Sequence, residues 1–257
     1  MIDFTDLLGQ VMQSGMSRTG QDRIKHAMGD KGLGGAGGIM SDLMGGLRSD
    51  ASGGGFGGIS RAAGQMLGGG RLATGGLGAL AGAVLGGGRG AGRGALGGGL
   101  LALLGSLAVS AFKNMSRPAA AAESLPLGLR EPENEKEQQE LQKNASLILR
   151  AMINAAKADG QIDQMEIERI TGKLAEIGSA DEARSFVFQE MGKPSDLDAI
   201  TRDVHNPELG AQVYGASLLA IQVDTPSEKQ YMQDLASGLG LDSNAVNNIH
   251  KLMGLND

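Results

Sequence analysis

Apolar residues recur three or four positions apart in two parts of the chain, residues 1–28 and residues 138–257. This spacing places them on one face of a helix, whereas the strict alternation typical of β-strands is absent. The clearest sets are Leu7, Leu8 and Val11; Ile167, Ile170 and Leu174; Tyr231, Leu235 and Leu239; and Val246, Ile249 and Leu252. The pattern predicts one or two amphipathic helices in residues 1–28 and an all-α, compact bundle of about seven short helices in residues 138–257.

Residues that favour helix N-termini stand ahead of several of these apolar sets. Asn206 precedes Pro207, and Thr225 precedes Pro226, with Glu228 three positions after the threonine. A polar cap, a proline in the first turn and a glutamate at the third helical position are the usual features of a helix start. These signals predict helices that begin at Pro207 and Pro226.

Two segments of the helical region resemble each other. The residues from Ala151 to Asp159 align with those from Ala216 to Asp224, at an offset of 65 residues (216 minus 151). Each copy consists of an apolar helix, a turn that contains an aspartate, and a second helix. The bundle is therefore predicted to contain two helical hairpins related by an approximate twofold axis.

Glycine and charge are distributed unevenly along the chain. Of the 44 glycines, 34 lie in residues 1–117 and 10 in residues 118–257. These two parts carry net charges of +5 and −11, which sum to the −6 of the whole chain. Because glycine disfavours helices in water, we expect the first part to be partly disordered. The predicted organisation is an amphipathic and glycine-rich region (1–70), a membrane segment (71–117), a proline, alanine and acidic linker (118–137), and a helical domain (138–257).

Two uncharged stretches lie in the predicted membrane segment. Residues 72–88 and 94–112 contain no charged side chain, and the second stretch is apolar enough to span a bilayer. They predict one or two membrane-prone helices. The alternative is that residues 94–112 form a helix buried in a protein core. The sequence favours the membrane, because no neighbouring segment is expected to bury such a helix.

A ladder of glycines with a four-residue period runs through both stretches. Its members are Gly78, Gly82, Gly86, Gly90, Gly94 and Gly98. Small residues at this spacing let two helices approach closely in lipid, so the ladder predicts helix packing or a homo-oligomer through a glycine zipper. We expect no nucleic-acid binding, because only two arginines stand between glycines and no aromatic residues accompany them.

The first hairpin carries a recognisable motif. The run from Ala155 to Glu166, with Asp159-Gly160 at its centre, resembles the signature of TerB-like (tellurite-resistance-type) domains, and the run from Ala220 to Ala236 resembles their second half. The glycine-rich region ahead of it resembles that of YebE-like bacterial inner-membrane proteins of unknown function. The resemblance implies an all-helical fold, a bacterial envelope setting, and a role in metal or stress response without established catalysis.

Acidic residues cluster at the turns of both predicted hairpins. They are Asp159, Asp163 and Glu166 in the first turn, and Asp224 and Glu228 in the second. Carboxylates are ligands for hard cations, so these residues are candidate ligands of Ca²⁺ or Mg²⁺, although their spacing differs from that of an EF-hand. The same residues are also explained as helix caps and turn residues. Capping is the simpler interpretation, and the cation site is its alternative.

The sequence contains no pattern that identifies an enzyme. It has no cysteine, which excludes disulfides, thiolate metal sites and cysteine nucleophiles, and its three histidines are scattered. We therefore expect a non-enzymatic, membrane-anchored interaction module with an unidentified protein partner. A cation-binding module tethered to the membrane and a soluble enzyme with a flexible tail are the alternatives. The expected location is the bacterial inner membrane, with the helical domain on the cytoplasmic side.

Overall fold

The computed structural model describes residues 2–15, 18–29, 32–33, 93–112, 127–129, 132–158, 160, 162, 164–176 and 180–255. Within these ranges the chain forms ten helices. In chain order they are α1 (Phe4–Gly15), α2 (Arg18–Met28), α3 (Arg93–Ala111), α4 (Glu135–Ala155), α5 (Gln164–Glu176), α6 (Asp181–Gly192), α7 (Leu197–Arg202), α8 (Pro207–Ala220), α9 (Pro226–Gly238) and α10 (Ser243–Leu252). The predicted all-α fold is confirmed, and seven of the described helices, α4 to α10, make up the predicted bundle region.

Polar side chains begin most of the helices in the second half of the chain. In each case the side chain accepts a hydrogen bond from the backbone N–H three residues later. These caps are Asn134 of α4, Asp196 of α7, Asn206 of α8, Thr225 of α9 and Asp242 of α10. The helix starts predicted at Pro207 and Pro226 are therefore confirmed.

Helix α8 lies at the centre of the bundle. Every residue from Leu209 to Leu219 is buried. Helix α8 packs extensively against α4 and α3, and it also contacts α2, α9 and α10. Gly215 allows the close approach of α3, because a Cβ atom at this position would lie 3.1 Å from Cδ2 of Leu107. A helix buried on all sides needs neighbours on all sides, and these five helices provide them.

Helix α3 occupies the segment that the sequence assigns to the membrane. Its buried apolar residues include Leu100, Leu101, Leu103, Leu104, Leu107, Ala108 and Ala111. It packs against α1, α8 and α10. The expectation that no neighbouring segment would bury this helix is wrong, and residues 94–112 are better described by the alternative of a helix in a protein core. Among the described residues, no helix combines the length and the apolar character needed to cross a bilayer.

The predicted amphipathic helices in residues 1–28 are confirmed as α1 and α2. Their apolar faces are buried, with Leu7, Leu8 and Met12 in α1 and Ile24 and Ala27 in α2. Helix α1 packs against α3, α4 and α5, and helix α2 contacts α8. The described parts on both sides of the boundary predicted between residues 117 and 118 thus contribute to one hydrophobic core.

The internal repeat is visible in the helix ends. Helix α4 ends at Ala155 and helix α8 at Ala220, which is the offset of 65 residues seen in the sequence (220 minus 155). The two connections differ in length, since residues 156–163 join α4 to α5 whereas residues 221–225 join α8 to α9. The long helices of the two repeats pack against each other, and each is followed by one of the predicted acidic turns.

Candidate functional site

The first acidic turn is only partly described. Asp159 and Asp163 lie outside the described residues, and so does the side chain of Glu166. Their role as cation ligands therefore stays a prediction.

Lys157 fixes the start of the first turn to helix α6. Its side chain is buried, and Nζ donates hydrogen bonds to the carbonyl oxygens of Glu190 at 2.5 Å and Lys193 at 2.8 Å. Burial lowers the pKa of Lys157, while the negative charge of Glu190 opposes this shift. A cation near the last carbonyls of a helix is favourable because the C-terminal end of the helix dipole is negative. The contact gives Lys157 a structural role.

The second acidic turn is a complete capping box. Thr225 Oγ1 accepts a hydrogen bond from the backbone N–H of Glu228 at 3.2 Å. Glu228 Oε2 in return accepts from the backbone N–H of Thr225 at 3.0 Å and of Asp224 at 3.1 Å, and from the Thr225 hydroxyl at 2.9 Å. Asp224 is exposed. The capping interpretation is thus confirmed at this turn.

The carboxylate of Glu228 is charged although it is buried. Burial raises the pKa of Glu228, but the hydrogen bonds that its carboxylate accepts from Thr225 and Asp224 outweigh this effect. The net result is a pKa below the ordinary value. Hydrogen bonds to a charged acceptor are stronger than those between neutral groups, which explains why the ionised form is favoured here.

Arg23 of helix α2 reaches into the same end of the bundle. Its side chain is 4% exposed, and its guanidinium donates hydrogen bonds to the carbonyl oxygens of Leu218, of Ile221 at 2.5 Å and of Gln222 at 2.7 Å. Burial lowers the pKa of Arg23, and the negative charge of Glu228 partly opposes this shift. We call Arg23 and these three carbonyl groups the arginine clamp. It joins the N-terminal helices to the C-terminal end of α8.

The residue that follows the arginine clamp has an unusual backbone conformation. Val223 has a φ of 63°, in the left-handed region. For a β-branched residue this conformation costs on the order of 1–2 kcal/mol. The surrounding structure must therefore hold Val223 in place, and the clamp on one side and the capping box on the other do so.

The second turn offers the oxygen atoms that a hard cation prefers, but the protein itself binds them. Carbonyl and carboxylate oxygens are typical Ca²⁺ ligands. Here the carbonyls bind the guanidinium of Arg23, and the carboxylate of Glu228 binds the N-terminus of α9. Within the described ranges, no three His, Asp or Glu side chains are placed to share a metal ion. The role of Asp224 and Glu228 as cation ligands stays a prediction.

A first prediction distinguishes a capping role of Glu228 from a role as cation ligand. We expect Glu228→Gln to lower the free energy of unfolding by about 1–2 kcal/mol, because a neutral amide weakens the charge-assisted hydrogen bonds. The pKa of Glu228 is lowered in the folded state. The difference in unfolding free energy between wild type and Glu228→Gln should therefore be complete above the ordinary glutamate pKa of about 4.3, and it should vanish as the pH falls through the folded-state pKa of Glu228. Urea unfolding at several pH values measures this difference.

The same variant tests directly whether Glu228 binds a cation. If Glu228 acts as a cap, millimolar CaCl₂ or MgCl₂ should leave the melting temperatures of wild type and Glu228→Gln unchanged. A ligand that binds only the folded state would raise the melting temperature. A Ca²⁺-dependent rise in the wild type that Glu228→Gln abolishes would contradict the capping assignment.

The glycine ladder lies mostly outside the described residues. This holds for Gly78, Gly82, Gly86 and Gly90, whereas Gly94 and Gly98 lie in the first turns of α3, where the surroundings of the residues are not described. The zipper therefore stays a prediction.

A cleft of about 460 Å³, which the sequence did not predict, lies beside helix α4. Arg150 in this cleft forms an ion pair with Asp203 at 2.9 Å, and Nε2 of His205 lies 3.7 Å from a carboxylate oxygen of Glu140. These two pairs of side chains line the cleft. They join α4 to the loop before α8.

The first turn of α1 is bound at one edge of the same cleft. The backbone N–H of Phe4 donates to Gln142 Oε1 at 2.7 Å, and Gln142 Nε2 donates to Asp3 at 3.0 Å and to Thr5 at 3.2 Å. The ring of Phe4 meets that of Phe186 edge to face, with centroids 5.0 Å apart. We call the surface of α3, α4 and α8 that α1 and α2 cover the helix groove.

The arginine clamp is the feature that the sequence analysis missed. A signal was present, because Gly20, Arg23, Ile24 and Ala27 follow one another at helical spacing and all are buried. A charge on the apolar face of a short helix needs partners in the protein. The pattern did not show where these partners lie.

Comparison with known proteins places the helical region in a family. A family model described as "Protein of unknown function (DUF533)" matches residues 66–253, nearly three quarters of the chain. An "Uncharacterized protein in ampR 5'region" of Yersinia enterocolitica is 29% identical over 92 residues. That alignment covers 36% of this chain and 66% of the relative, just under two thirds of its length. No solved structure matches.

Proposed function

The chain belongs to the DUF533 family of unknown function, and we propose that it is a non-enzymatic module that binds amphipathic helices. One observation carries the proposal. The matched region begins at residue 66, whereas α1 and α2 lie before it and are nevertheless docked in the helix groove of the matched region. The domain already holds an amphipathic helical segment from outside its family core.

The contacts in the groove are those of a binding site for a helix. Leu7, Leu8 and Ile24 are almost completely buried. Burial of one such side chain contributes roughly 1.5–3 kcal/mol. Polar contacts fix the position of the segment at both ends, through Gln142 at the start of α1 and through Arg23 in α2. Apolar anchors on one helix face are the usual basis of helix-in-groove recognition.

The buried charges support a binding role over a catalytic one. Among the described residues, the buried charged side chains are Arg23, Lys157 and Glu228. Each is hydrogen-bonded to the backbone at a helix end. Because these charges bind the backbone, they stabilise the fold.

We further propose that residues 72–88 anchor this module on one face of the bacterial inner membrane by entering the bilayer without crossing it, because α2 before this stretch and α8 after it are packed together. The absence of charge in this stretch and the glycines at its four-residue period support this anchor. The resemblance to TerB-like and YebE-like proteins supports an envelope setting and a role in stress response. Residues 94–112 are not part of the proposed anchor, because α3 is packed in the bundle.

A cleaved chain tests the binding role. We expect that after insertion of a site-specific protease sequence between Gly53 and Gly54, and cleavage there, the N-terminal fragment stays bound to the rest of the protein. The apolar contacts and the arginine clamp hold it without a covalent link. Size-exclusion chromatography measures the bound fraction, and dilution gives the dissociation constant.

Two variants in helix α2 complete this experiment. Arg23→Gln should weaken binding of the cleaved fragment by at least about tenfold, which corresponds to 1.4 kcal/mol. Lys25→Gln is the matched control, because it removes an exposed charge from the same helix and should leave binding unchanged. The proposal fails if the wild-type fragment elutes separately, or if both variants bind equally well.

A further inference from the structure

We infer that α1 and α2 of one molecule can dock in the helix groove of a second copy, so that the protein self-associates by exchanging its N-terminal helices. This inference rests on the proposed function, since it names the partner of the helix groove. It concerns a different surface from the glycine ladder.

The length of the connection permits the exchange. Residues 34–92 join the docked N-terminal segment to α3. With residues 72–88 held in the membrane, residues 34–71 still reach up to roughly 130 Å when fully extended, several times the diameter of a small domain. The segment can therefore reach the groove of a neighbouring molecule without any change in the helices themselves.

The contacts are the same in either arrangement. Gln142 binds the first turn of α1, and the arginine clamp binds α2. Both sets of contacts join the N-terminal segment to residues that follow the connection. Exchange between two copies therefore keeps every one of these contacts, and the two arrangements differ mainly in the entropy of association.

Concentration decides between the two arrangements. Tethered segments typically have effective concentrations of about 1 mM or less at their own sites. A neighbouring copy competes when its local concentration approaches this value. Anchoring in a membrane would bring copies to such concentrations, so that exchange links anchored molecules in pairs.

The absence of cysteine from the chain allows a direct experiment. Thr5 and Gln142 are in contact across the groove, with Thr5 Oγ1 3.2 Å from Gln142 Nε2. Full-length Thr5→Cys and full-length Gln142→Cys are mixed at a protein concentration of about 1 mM, at which exchange is expected to compete with docking in the same molecule, incubated and treated with a short bismaleimide cross-linker. Mass spectrometry then identifies a cross-link between positions 5 and 142, which in this mixture can form only between two copies.

Three controls complete the design. A mixture of Thr5→Cys with Gln233→Cys, an exposed position on α9, gives the background from random collisions. Arg23→Gln, added to both partners of the test mixture, removes the arginine clamp. The double variant Thr5→Cys/Gln142→Cys reports docking in general, because it cross-links within one chain or between two.

We expect the test mixture to give at least about tenfold more cross-linked dimer than the collision control, and Arg23→Gln to remove most of this excess. A test mixture at the level of the collision control, together with an efficient cross-link in the double variant, would overturn the exchange and leave the proposed function intact. A double variant that does not cross-link would contradict both.

Discussion

Replacement of Leu104 by alanine is expected to lower the free energy of unfolding by about 3 kcal/mol. Leu104 is completely buried in α3, and its side chain packs close to Gly215 of α8. Truncation of a buried leucine removes apolar contacts and leaves a cavity, and it typically costs 2–5 kcal/mol. Urea unfolding of the full chain measures the effect. A loss of about 3 kcal/mol is a large fraction of the total stability of an ordinary domain.

The size of this loss in unfolding free energy distinguishes a core helix from a membrane span. In a membrane span, the change from leucine to alanine alters insertion by well under 1 kcal/mol and leaves the helical bundle unaffected. Val109→Ala is the matched control on the same helix, because Val109 is only partly buried and its truncation should cost less than about 1 kcal/mol. Equal, small effects of both variants would contradict the packing of α3 in the bundle.

A variant in the proposed anchor provides the opposite control. Val84→Arg places a charge within residues 72–88 and should reduce retention of the chain in carbonate-washed membranes. It should leave the unfolding transition of the bundle unchanged. If Leu104→Ala instead reduces membrane retention and Val84→Arg does not, the anchor is assigned to the wrong segment.

Arg23→Gln is expected to lower the free energy of unfolding by about 3 kcal/mol. The substitution removes the charge and leaves the carbonyl groups of Leu218, Ile221 and Gln222 without their donor, the first two in buried hydrogen bonds. Loss of one member of such a buried charged arrangement typically costs 3–5 kcal/mol, and the cost of burying the guanidinium, which the variant avoids, offsets part of this. Urea unfolding measures the change.

Arg23→Lys shows whether the shape of the guanidinium matters. A lysine keeps the charge but lacks the planar fork that binds several carbonyls at once, so we expect an intermediate loss of stability. Lys25→Gln should change stability by less than about 0.5 kcal/mol, because Lys25 forms an exposed ion pair with Asp22. If Arg23→Gln is as stable as the wild type, the arginine clamp does not hold α2.

Limited proteolysis locates the effect of the clamp. If Arg23 fixes α2 to α8, Arg23→Gln should accelerate tryptic cleavage after Lys25 before the rest of the bundle becomes accessible. Local opening of a segment costs less than global unfolding, so the N-terminal helices should detach first. Simultaneous cleavage throughout the chain would instead indicate a single cooperative unit.

The sequence by itself determined most of the local structure. The helical periodicity, the caps at Asn206 and Thr225, and the offset of 65 residues between the ends of α4 and α8 are all found in the structure. These features depend on residues close together in the chain. A cap binds a backbone group three residues later, and a periodic apolar face needs only one helix.

The surroundings of each helix were decided only by the tertiary structure. The sequence showed that residues 94–112 must leave water, but it could not show whether lipid or protein covers them, since both offer an apolar environment. The structure places α1 and α8 there. For the same reason the sequence analysis missed the arginine clamp: the carbonyls that bind Arg23 lie almost 200 residues later in the chain, and their position depends on how the helices pack.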